Sequence, residues 1–515
     1  MKVRRIFDYL HPYLFGLYPV LFLAAYNKKQ LEISYITPYI LIIIAAVTVL
    51  LVILRFLFKN RRKAAVFLSL FIGVFFSYGH IRFLTKDVRI SEAIGPDHLL
   101  VPLAFFIIIW GFIYIKRTRR KLEKITQFLN IVSVFLVAYS IGDIGLYKSR
   151  NPYRASKTGM ATFDTASQTS SVDNYPDIYY IVPDRYSSEQ TLRDIYQYDN
   201  SEFIKFLRSK GFYVVDNARS NYHKTAMSLA SSLNMRHLLY LEDELGKKYE
   251  DWYPLYDMIE NSEVVRYLKS KGYLYIHMGT WWKPTSKNPY ADIDYSITSL
   301  SEFGSLFFGT TLLYPLCDKM GISSVFTDPW KIHYQRVLFK FEQLAKIPSL
   351  KSPKFVFVHF NFPHPPYLFD KDGNYVPLKE ARGRDRYTDQ LTFANKKFIE
   401  LIGSLIKASP TPPIIIIQSD EGPFPVRYAA DELKFKWKEA AEEELNEKFG
   451  ILNAIYLPGN EEHQWYPSVT PVNTFRIIFN RYFNENFELL PDKSFAVSSD
   501  EHPYDFIDVT NILVK

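Results

Sequence analysis

The sequence predicts an α-helical transmembrane bundle of about five helices, followed by an extracytoplasmic α/β domain with a mainly parallel sheet. Three observations favour this fold class. Five long apolar segments occur before residue 150. After residue 175, short apolar runs alternate with helix-like patterns, which is typical of βαβ units and a parallel sheet. A chain of 515 residues is also too long for one compact core, so at least two domains are expected.

The apolar segments are each close to the ~20 residues that a helix needs to cross a bilayer. They are residues 9–26, 36–58, 64–81, 99–115 and 128–146. Basic residues are concentrated before the first segment and in the loops after the second and fourth segments. Because cytoplasmic loops carry the excess of lysine and arginine, the amino terminus is predicted to be cytoplasmic and the chain after residue 150 extracytoplasmic.

The net charge of +8 does not indicate nucleic-acid binding. The basic excess lies in the first 150 residues, in short tracts between apolar segments, where lipid head groups are the expected partner. The single cysteine, Cys317, excludes an internal disulfide framework and any CxxC-type metal or redox site. We therefore expect a membrane as partner and no nucleic acid.

A polar tract separates two predicted domains. Residues 151–175 are rich in serine and threonine without a period, which predicts a linker between a transmembrane domain, residues 1–150, and an α/β domain, residues 176–515. Candidate strands are residues 177–182, 212–215, 273–278, 355–360, 414–418 and 451–457. Helical patterns between or after them are residues 201–210, 331–344, 389–408 and 472–483.

Two of the candidate strands are followed by acidic residues. The run Ile414–Gln418 is apolar and β-branched, as expected for a strand covered on both faces, and Asp420 and Glu421 follow it. Asp184 comes just after the first strand. Ligands of open α/β sheets bind at the carboxyl ends of the strands, so these carboxylates are candidate site residues. The alternatives are an acidic turn after the later strand and an Asp turn or helix cap at Asp184.

Histidine and hydroxyl groups supply further candidates. His364 lies in a proline-rich loop, where an imidazole can donate a proton or a hydrogen bond near neutral pH. His359, inside the preceding strand, is interpreted as a core residue or a neighbour of the site. Small and hydroxylated residues at 220–234 lead into a helical pattern, so one hydroxyl can lie at a helix amino terminus, which favours anions. The alternatives are a loop histidine that only packs and a Ser/Thr helix cap.

The order of these features resembles that of the alkaline phosphatase/sulfatase-like superfamily. The features are the membrane bundle, the linker, Asp184, the hydroxyl-bearing helix, His364 and Asp420. The resemblance is specifically to its membrane-anchored envelope phosphotransferases, of the lipoteichoic acid synthase and phosphoethanolamine transferase type. It implies that Asp184, Thr225, Asp420 and Glu421 hold one divalent metal, with Glu421 in the place where the family usually has histidine.

The same resemblance implies the catalytic roles and the reaction. Thr225 aligns with the family's nucleophile, Ser228 is the runner-up, and His364 is a phosphate contact or an acid/base group. A hydroxyl is a poor nucleophile unless its pKa is lowered, and coordination to a metal lowers it. The implied reaction moves a phospho-alcohol group, of phosphoethanolamine or phosphoglycerol type, from a phospholipid donor to an envelope glycan, lipid or polymer acceptor. A phospho-threonine is its intermediate.

Glu421 departs from the family pattern and leaves several interpretations open. A donor set that contains only oxygen favours Mn²⁺ or Mg²⁺ over Zn²⁺. The departure is also compatible with a non-catalytic relative that only binds. A sulfatase-like hydrolase of phosphodiesters or sulfate esters is a further alternative, although Cys317 lacks the C/S-x-P-x-R context of sulfatases. The resemblance implies a multi-pass protein of a bacterial-type cytoplasmic membrane, with its C-terminal domain extracytoplasmic in the cell envelope.

Overall fold

A computed structural model describes most of the chain and divides it into two compact units. The described residues are 8–31, 35–85, 96–151, 175–297, 300–320, 328–432, 434–459 and 465–513. The membrane unit comprises Met1–Pro152 and Ser299–Pro329, and the sheet unit comprises Tyr153–Thr298 and Trp330–Lys515. The predicted linker, residues 151–175, lies outside the described residues except for its two ends.

Each of the five predicted spans coincides with a helix of the membrane unit. The helices are α1 (Leu10–Tyr26), α2 (Thr37–Phe58), α3 (Arg61–Thr85), α4 (Pro96–Arg117) and α5 (Glu123–Arg150). Helices α2 to α5 are long and apolar enough to cross a membrane, whereas α1 has 17 residues and is shorter. A helical membrane region is therefore confirmed, while the crossing of α1 and the sidedness of the chain stay predictions.

The outer surface of these helices has the apolar character of a lipid-facing surface. Large apolar side chains such as Leu41, Phe56, Phe106 and Ile131 are exposed. A water-soluble protein rarely exposes so many large apolar groups together. In a membrane they contact acyl chains, and the backbone polar groups are satisfied within each helix.

The sheet unit is built on a seven-stranded sheet. Its strands are β1 (Ile178–Pro183), β2 (Tyr213–Val214), β3 (Leu274–Met278), β4 (Ile293–Asp294), β5 (Lys354–Phe360), β6 (Ile414–Gln418) and β7 (Asn453–Tyr456). They lie in the order β2-β7-β6-β1-β5-β3-β4. All pairings from β6 to β4 are parallel, and β7 pairs antiparallel with both β6 and β2. The prediction of a mainly parallel sheet is confirmed.

Helices and a hairpin complete the fold. The helices are α6 (Glu189–Asp194), α7 (Ser201–Ser209), α8 (Thr225–Leu233), α9 (Tyr240–Leu245), α10 (Tyr253–Glu260), α11 (Glu263–Ser270), α12 (Lys283–Ser286), α13 (Glu302–Gly309), α14 (Leu313–Lys319), α15 (Pro329–Lys346), α16 (Arg384–Ala408), α17 (Val426–Ala430), α18 (Glu442–Phe449), α19 (Pro471–Phe483) and α20 (Thr510–Leu513). The strands β8 (Phe495–Ser499) and β9 (His502–Asp508) form an antiparallel pair.

The central strands are buried on both faces, which explains their continuous apolar runs. In β1, Tyr180 and Val182 belong to one hydrophobic core, and Tyr179 and Ile181 belong to a second core on the opposite face. Strand β6 divides in the same way between the two cores. Burial on both faces removes the polar alternation of half-exposed strands, so the runs predicted these strands correctly.

One part of the chain returns to the membrane unit after the sheet unit has begun. Helices α13 and α14 lie between β4 and α15 in sequence, yet they cluster with α1 to α5. We call residues 300–320 the inserted segment. The sequence does not predict it, because its two helices are too short to resemble a membrane span.

Candidate metal centre

The sheet topology brings three strand ends together. Strand β1 lies between β5 and β6, and all three are parallel, so their carboxyl ends meet at one edge. Asp184 follows β1 directly, and its backbone N–H donates to the carbonyl of Phe360 at 2.9 Å. His359 is the penultimate residue of β5, and Asp420 lies two residues after β6.

Asp184, His359 and Asp420 form a buried cluster that can hold a metal ion. One ligand atom from each lies within 4.8 Å of the others, and His359 Nε2 is 3.7 Å from Asp184 Oδ2. In the described part of the chain, no hydrogen-bond partner reaches Asp184 Oδ1, His359 Nε2 or either carboxylate oxygen of Asp420. Leaving a buried polar atom unpaired costs about 1–3 kcal/mol. A cation between these atoms satisfies them all, so the residues fit a divalent metal.

The electrostatics of the cluster also favour a cation. Burial raises the pKa of Asp184 to about 7, although the nearby Arg185 acts in the opposite direction. Burial raises the pKa of Asp420 to about 8, and the charge of Asp184 adds to the effect. Two carboxyl groups so close together in a buried site resist ionising together. A divalent ion removes this repulsion and the need for bound protons.

His359 is held in the form that binds a metal. Its Nδ1 lies 2.9 Å from Thr285 Oγ1, and that hydroxyl lies 3.0 Å from Thr280 Oγ1. A partner of this kind fixes the orientation of a ligating imidazole. Burial lowers the pKa of His359 to about 4, so the ring is neutral near pH 7. When Nδ1 donates to the Thr285 hydroxyl, Nε2 faces Asp184 with a lone pair that can bind a metal.

Thr225 lies beside this cluster at the beginning of α8. It is the first residue of the helix, and the preceding residue, Lys224, is extended and offers no side-chain cap to the first turn. Its hydroxyl faces Asp420 and moderates the rise in the pKa of that carboxyl, although neither Asp420 oxygen gains a regular hydrogen bond. Thr225 is partly exposed. An anion that reaches its hydroxyl also meets the amino end of the helix.

Ser228, one turn further along α8, has a different environment. It is buried, and its hydroxyl donates to the carbonyl of Tyr222 at 2.8 Å. Attack by this oxygen on a substrate would require that bond to break and the buried side chain to turn. Of the two hydroxyls, that of Thr225 faces the cluster, and that of Ser228 is bonded to a main-chain carbonyl.

Glu421 forms ion pairs with two basic side chains. Its Oε1 lies 2.8 Å from Lys448 Nζ and 3.1 Å from Arg185 Nε. Lys448 also donates to the carbonyl of Gly422 at 2.9 Å. Burial lowers the pKa of Lys448 to about 7, and the charge of Glu421 opposes that shift. Glu421 Oε1 is thus paired with cations, whereas its Oε2 has no hydrogen-bond partner in the described residues. The three-residue cluster that can hold an ion contains His359 and not Glu421.

His364 lies near the same cations. It is half-buried in the loop after β5, and its Nδ1 contacts the carbonyl of Pro365. Burial and the charge of Arg185 lower its pKa, so the ring is neutral near pH 7. Because a carbonyl only accepts, Nδ1 carries the ring proton and Nε2 is left as a proton acceptor.

Three cations surround a single aromatic ring beside the cluster. The ring centroid of Phe424 is 3.4 Å from Lys448 Nζ, 4.3 Å from the guanidinium carbon of Arg185 and 4.7 Å from Lys224 Nζ. The face of an aromatic ring attracts cations electrostatically. Lys224 is also paired with Asp500 at 2.8 Å. The ring holds this positive charge next to Asp184 and Glu421.

Sequence reasoning missed three of these residues. Thr285 supports His359 from a short helix 74 residues earlier, and Lys448 and Phe424 act on Glu421 and on the cations. Each of these three residues lies at a different distance along the chain from the residue that it contacts. No local sequence motif therefore connects the two. For His359 a signal existed: a histidine one residue from the carboxyl end of a parallel strand is close to the edge where ligands bind.

Comparisons with known proteins give weak similarities. No protein-family model and no curated protein matches the sequence. The integral membrane lipooligosaccharide phosphoethanolamine transferase A of Neisseria meningitidis is 10% identical with a TM-score of 0.36, over 87% of this chain and 88% of that one. The C-terminal periplasmic domain of EcEptC from Escherichia coli is 13% identical with a TM-score of 0.41, over 66% and 94%.

A third solved structure has a comparable similarity. The C-terminal periplasmic domain of the phosphoethanolamine transferase EptC from Campylobacter jejuni is 12% identical with a TM-score of 0.35, over 61% of this chain and 91% of that one. At these values the reactions of those proteins are not transferred to this chain, and its site is interpreted from its own residues.

Proposed function

We propose that this protein is a metal-dependent phosphotransferase of a bacterial-type cytoplasmic membrane. It moves a phospho-alcohol group, of phosphoethanolamine or phosphoglycerol type, from a phospholipid to an acceptor in the cell envelope. The observation that carries the proposal is the cluster of Asp184, His359 and Asp420. Their unpaired buried atoms converge beside Thr225, an accessible hydroxyl at a helix amino terminus.

The proposed metal ligands are Asp184, His359 and Asp420, with the Thr225 hydroxyl beside them. Bound there, a divalent metal supplies charge stabilisation for phosphoryl oxygens and lowers the pKa of an adjacent hydroxyl. The nitrogen of His359 makes the donor set mixed, and imidazole suits Zn²⁺ better than Mg²⁺, while carboxylates suit Mn²⁺. We therefore favour Mn²⁺ or Zn²⁺, which revises the preference derived from an all-oxygen set with Glu421.

The protein's own groups account for the remaining steps. The Thr225 oxygen forms a bond to phosphorus while the bond from phosphorus to the glycerol oxygen of the donor breaks, and the threonine proton ends on the released diacylglycerol. In the second half, the acceptor hydroxyl attacks the phospho-threonine, and the Thr225 oxygen leaves and regains a proton. His364 Nε2, which is free to accept, is suited to take the proton of the entering alcohol.

The three cations around Phe424 favour an anionic substrate group over a neutral one. Arg185 and Lys448 are already balanced in part by Glu421, and Lys224 by Asp500. Lys224 also lies 3.7 Å from Glu432. A phosphodiester, which carries one negative charge, is the anionic group that we propose as the donor class.

The test uses the full chain in lipid nanodiscs that contain labelled phosphatidylethanolamine or phosphatidylglycerol, with Mn²⁺ or Zn²⁺ added. Release of labelled diacylglycerol is followed, and the protein is digested and searched by mass spectrometry for a phospho-alcohol adduct. We expect the adduct on Thr225. Thr225→Ala should lower turnover by about 10³-fold or more, as loss of a nucleophile does.

Matched variants separate the possible outcomes. Thr225→Ser keeps a hydroxyl and should retain part of the turnover, and Ser228→Ala should be close to wild type. Equal turnover by Thr225→Ala would overturn the nucleophile assignment, and an adduct on Ser228 would move it there. Release of the free head-group phosphate in the presence of an acceptor alcohol would indicate a hydrolase. Absence of metal binding by the folded wild-type chain would favour a non-catalytic binding protein.

A further inference from the structure

The inserted segment, residues 300–320, is fastened to the backbone of a membrane helix. In a regular α-helix the N–H of Gly79 donates to the carbonyl of Phe75. Here both groups also bond to the segment: Gly79 N donates to the carbonyl of Thr310 at 3.0 Å, and Leu312 N donates to the carbonyl of Phe75 at 2.9 Å. Two main-chain bonds of this kind specify one position of the segment along α3.

Gly79 permits this approach because it has no side chain. A Cβ atom built at Gly79 would lie 2.5 Å from the carbonyl oxygen of Gly309 and 2.6 Å from the Cα of Thr310. Both atoms belong to the backbone and cannot move away cheaply. Gly73, on the same helix, has open space where its Cβ would be. The close contact is therefore specific to Gly79.

The inner side of the segment packs on three membrane helices. Phe303 is buried against the ring of Tyr39 in α2, with the ring centroids 5.2 Å apart, and Phe307 lies 5.4 Å from Phe76 in α3. Leu312 is buried in a cluster with residues of α4. These contacts lie toward the ends of α2, α3 and α4 that the positive-inside rule places outside.

Three large apolar side chains of the segment are left uncovered by the described part of the chain. Leu306, Leu313 and Met320 are 51%, 44% and 69% exposed. The hydroxyls of Thr310 and Thr311 donate back to carbonyls of α13, each at 2.7 Å, so these polar groups are satisfied inside the segment. Internal satisfaction of polar groups beneath exposed apolar side chains is what a lipid environment requires.

Polar anchors stand beside this apolar surface. The guanidinium of Arg82 lies 5.4 Å from the ring centroid of Tyr314 and is paired with Asp97 at 2.7 Å. Lys319, at the end of α14, is exposed. Basic and tyrosine side chains at the ends of apolar elements are typical of the head-group region of a bilayer.

We propose that the inserted segment is an interfacial membrane-binding element whose partner is the phospholipid bilayer itself. Leu306, Leu313 and Met320 lie at the boundary between head groups and acyl chains of the outer leaflet, and the bonds to α3 hold them at that depth. The chain enters the segment from β4 and leaves it toward α15.

The test places a fluorophore on Leu306→Cys in a Cys317→Ser background, in the full chain in phosphatidylglycerol-containing nanodiscs. Phospholipids brominated near the carbonyl end of the acyl chains should quench it strongly, and aqueous iodide should quench it much less than a label on Glu400→Cys. Glu400 is an exposed residue of α16 in the sheet unit. An interfacial helix buries its apolar face about 5–10 Å deep, which is within reach of such bromines.

Two outcomes at Leu306 would overturn the proposal. Equal iodide quenching at both positions would show that the segment faces water. Protection from iodide without quenching by brominated lipid would show that a protein, such as a second copy of the chain, covers this face. Both readouts use an exposed labelling position and do not depend on a destabilising variant.

A matched pair of glycine variants tests how the segment is held. Gly79→Ala should release it, so that iodide quenching at Leu306 rises toward the value at Glu400, whereas Gly73→Ala should leave both quenching values unchanged. If Gly79→Ala fails to fold, the lipid quenching of the parent still decides the proposal. Identical quenching in folded Gly79→Ala and Gly73→Ala would overturn the role of the α3 bonds.

Discussion

Asp420 and Glu421 are adjacent in the sequence, but their side chains have different partners. Asp420 is buried without a hydrogen-bond partner in the described part of the chain, beside another carboxyl group. Glu421 is buried with its Oε1 against Lys448 and Arg185, and only its Oε2 is without a partner there. The sequence shows two carboxylates after a strand and predicts a site there. Which of them faces an ion depends on Lys448, which α18 supplies 27 residues later and which no local pattern reveals.

Glu421→Gln should therefore affect stability more than metal binding. The change leaves Lys448 buried without its counter-ion, and removing one partner of a buried pair costs about 3–5 kcal/mol. Chemical unfolding should show this loss, and calorimetry with Mn²⁺ or Zn²⁺ should show a Kd within about tenfold of wild type.

The control for that prediction is Asp420→Asn, which should abolish measurable metal binding. The double variant Glu421→Gln with Lys448→Met should recover most of the lost stability, because it removes the unpaired charge. A loss of metal affinity in Glu421→Gln as large as in Asp420→Asn would instead identify Glu421 as a ligand, as the family resemblance implies.

Metal binding should weaken as the pH falls from 8 to 5. The pKa values of Asp184 and Asp420 are raised to about 7 and about 8, so a metal must displace protons in this range. A raised carboxyl pKa gives the metal-free fold stability at low pH that is lost as the pH rises through the folded-state value. The increase in Tm on adding Mn²⁺ should thus be larger at pH 8 than at pH 5. An equal increase at both values would contradict the assignment of these ligands.

At the scale of elements, the loop between β3 and α12 positions Thr285, which contacts His359 of the site. Gly279 follows β3, and a Cβ there would lie 1.4 Å from the carbonyl oxygen of Thr285. Thr285 in turn fixes His359. The loop can pack this closely only with glycine at that position.

Gly279→Ala should accordingly weaken metal binding at a distance from the ligands. Displacing Thr285 frees the His359 ring, and loss of such a supporting bond typically lowers metal affinity about 10–100-fold. Calorimetric titration with Zn²⁺ and Mn²⁺ measures the effect. Gly403→Ala is the control, because α16 leaves open space at that position and alanine should stabilise the helix by about 0.5–1 kcal/mol. Unchanged metal affinity in Gly279→Ala would show that Thr285 does not position His359.

The strands that the sequence predicts most directly are those with their own burial signature. Strands β1, β5 and β6 are continuous apolar runs because cores cover both faces. Strand β4 has two residues and is defined only by its pairing with β3, and the β8–β9 hairpin is set by contacts between its strands. Such elements depend on partners distant in the chain, and propensity alone does not identify them.

At the scale of the whole molecule, the two-part organisation follows from composition, because apolar segments and basic loops occupy the first 150 residues. The return of residues 300–320 to the membrane unit does not follow from it. Its helices have eight and seven residues, and their apolar side chains resemble those of any buried helix. The placement is shown by main-chain bonds to Gly79 and Phe75. Main-chain groups are the same in nearly every residue type, so the sequence does not reveal which of them will bond.

The sidedness of the chain can be measured with two single cysteines in the Cys317→Ser background. A membrane-impermeant maleimide should label Glu400→Cys in intact cells stripped of their outer layers. It should label Arg119→Cys, in the exposed loop between α4 and α5, only after permeabilisation, because basic loops stay in the cytoplasm. Labelling of Arg119→Cys in intact cells would reverse the predicted orientation. An amino-terminal tag decides whether α1 crosses: protection from external protease indicates five spans, and cleavage indicates four.

The placement of residues 300–320 also has a consequence for biosynthesis. Helices α1 to α5 leave the ribosome first, and roughly 170 further residues must follow before the segment is complete, which takes roughly 10–35 s at typical rates of synthesis. Until then, the outer ends of α2, α3 and α4 lack the partner that covers them in the finished protein. With the predicted orientation, export of the polypeptide is a condition for completing the bundle. A chain that terminates before residue 300 should leave Phe75 and Gly79 without the partners that the segment supplies.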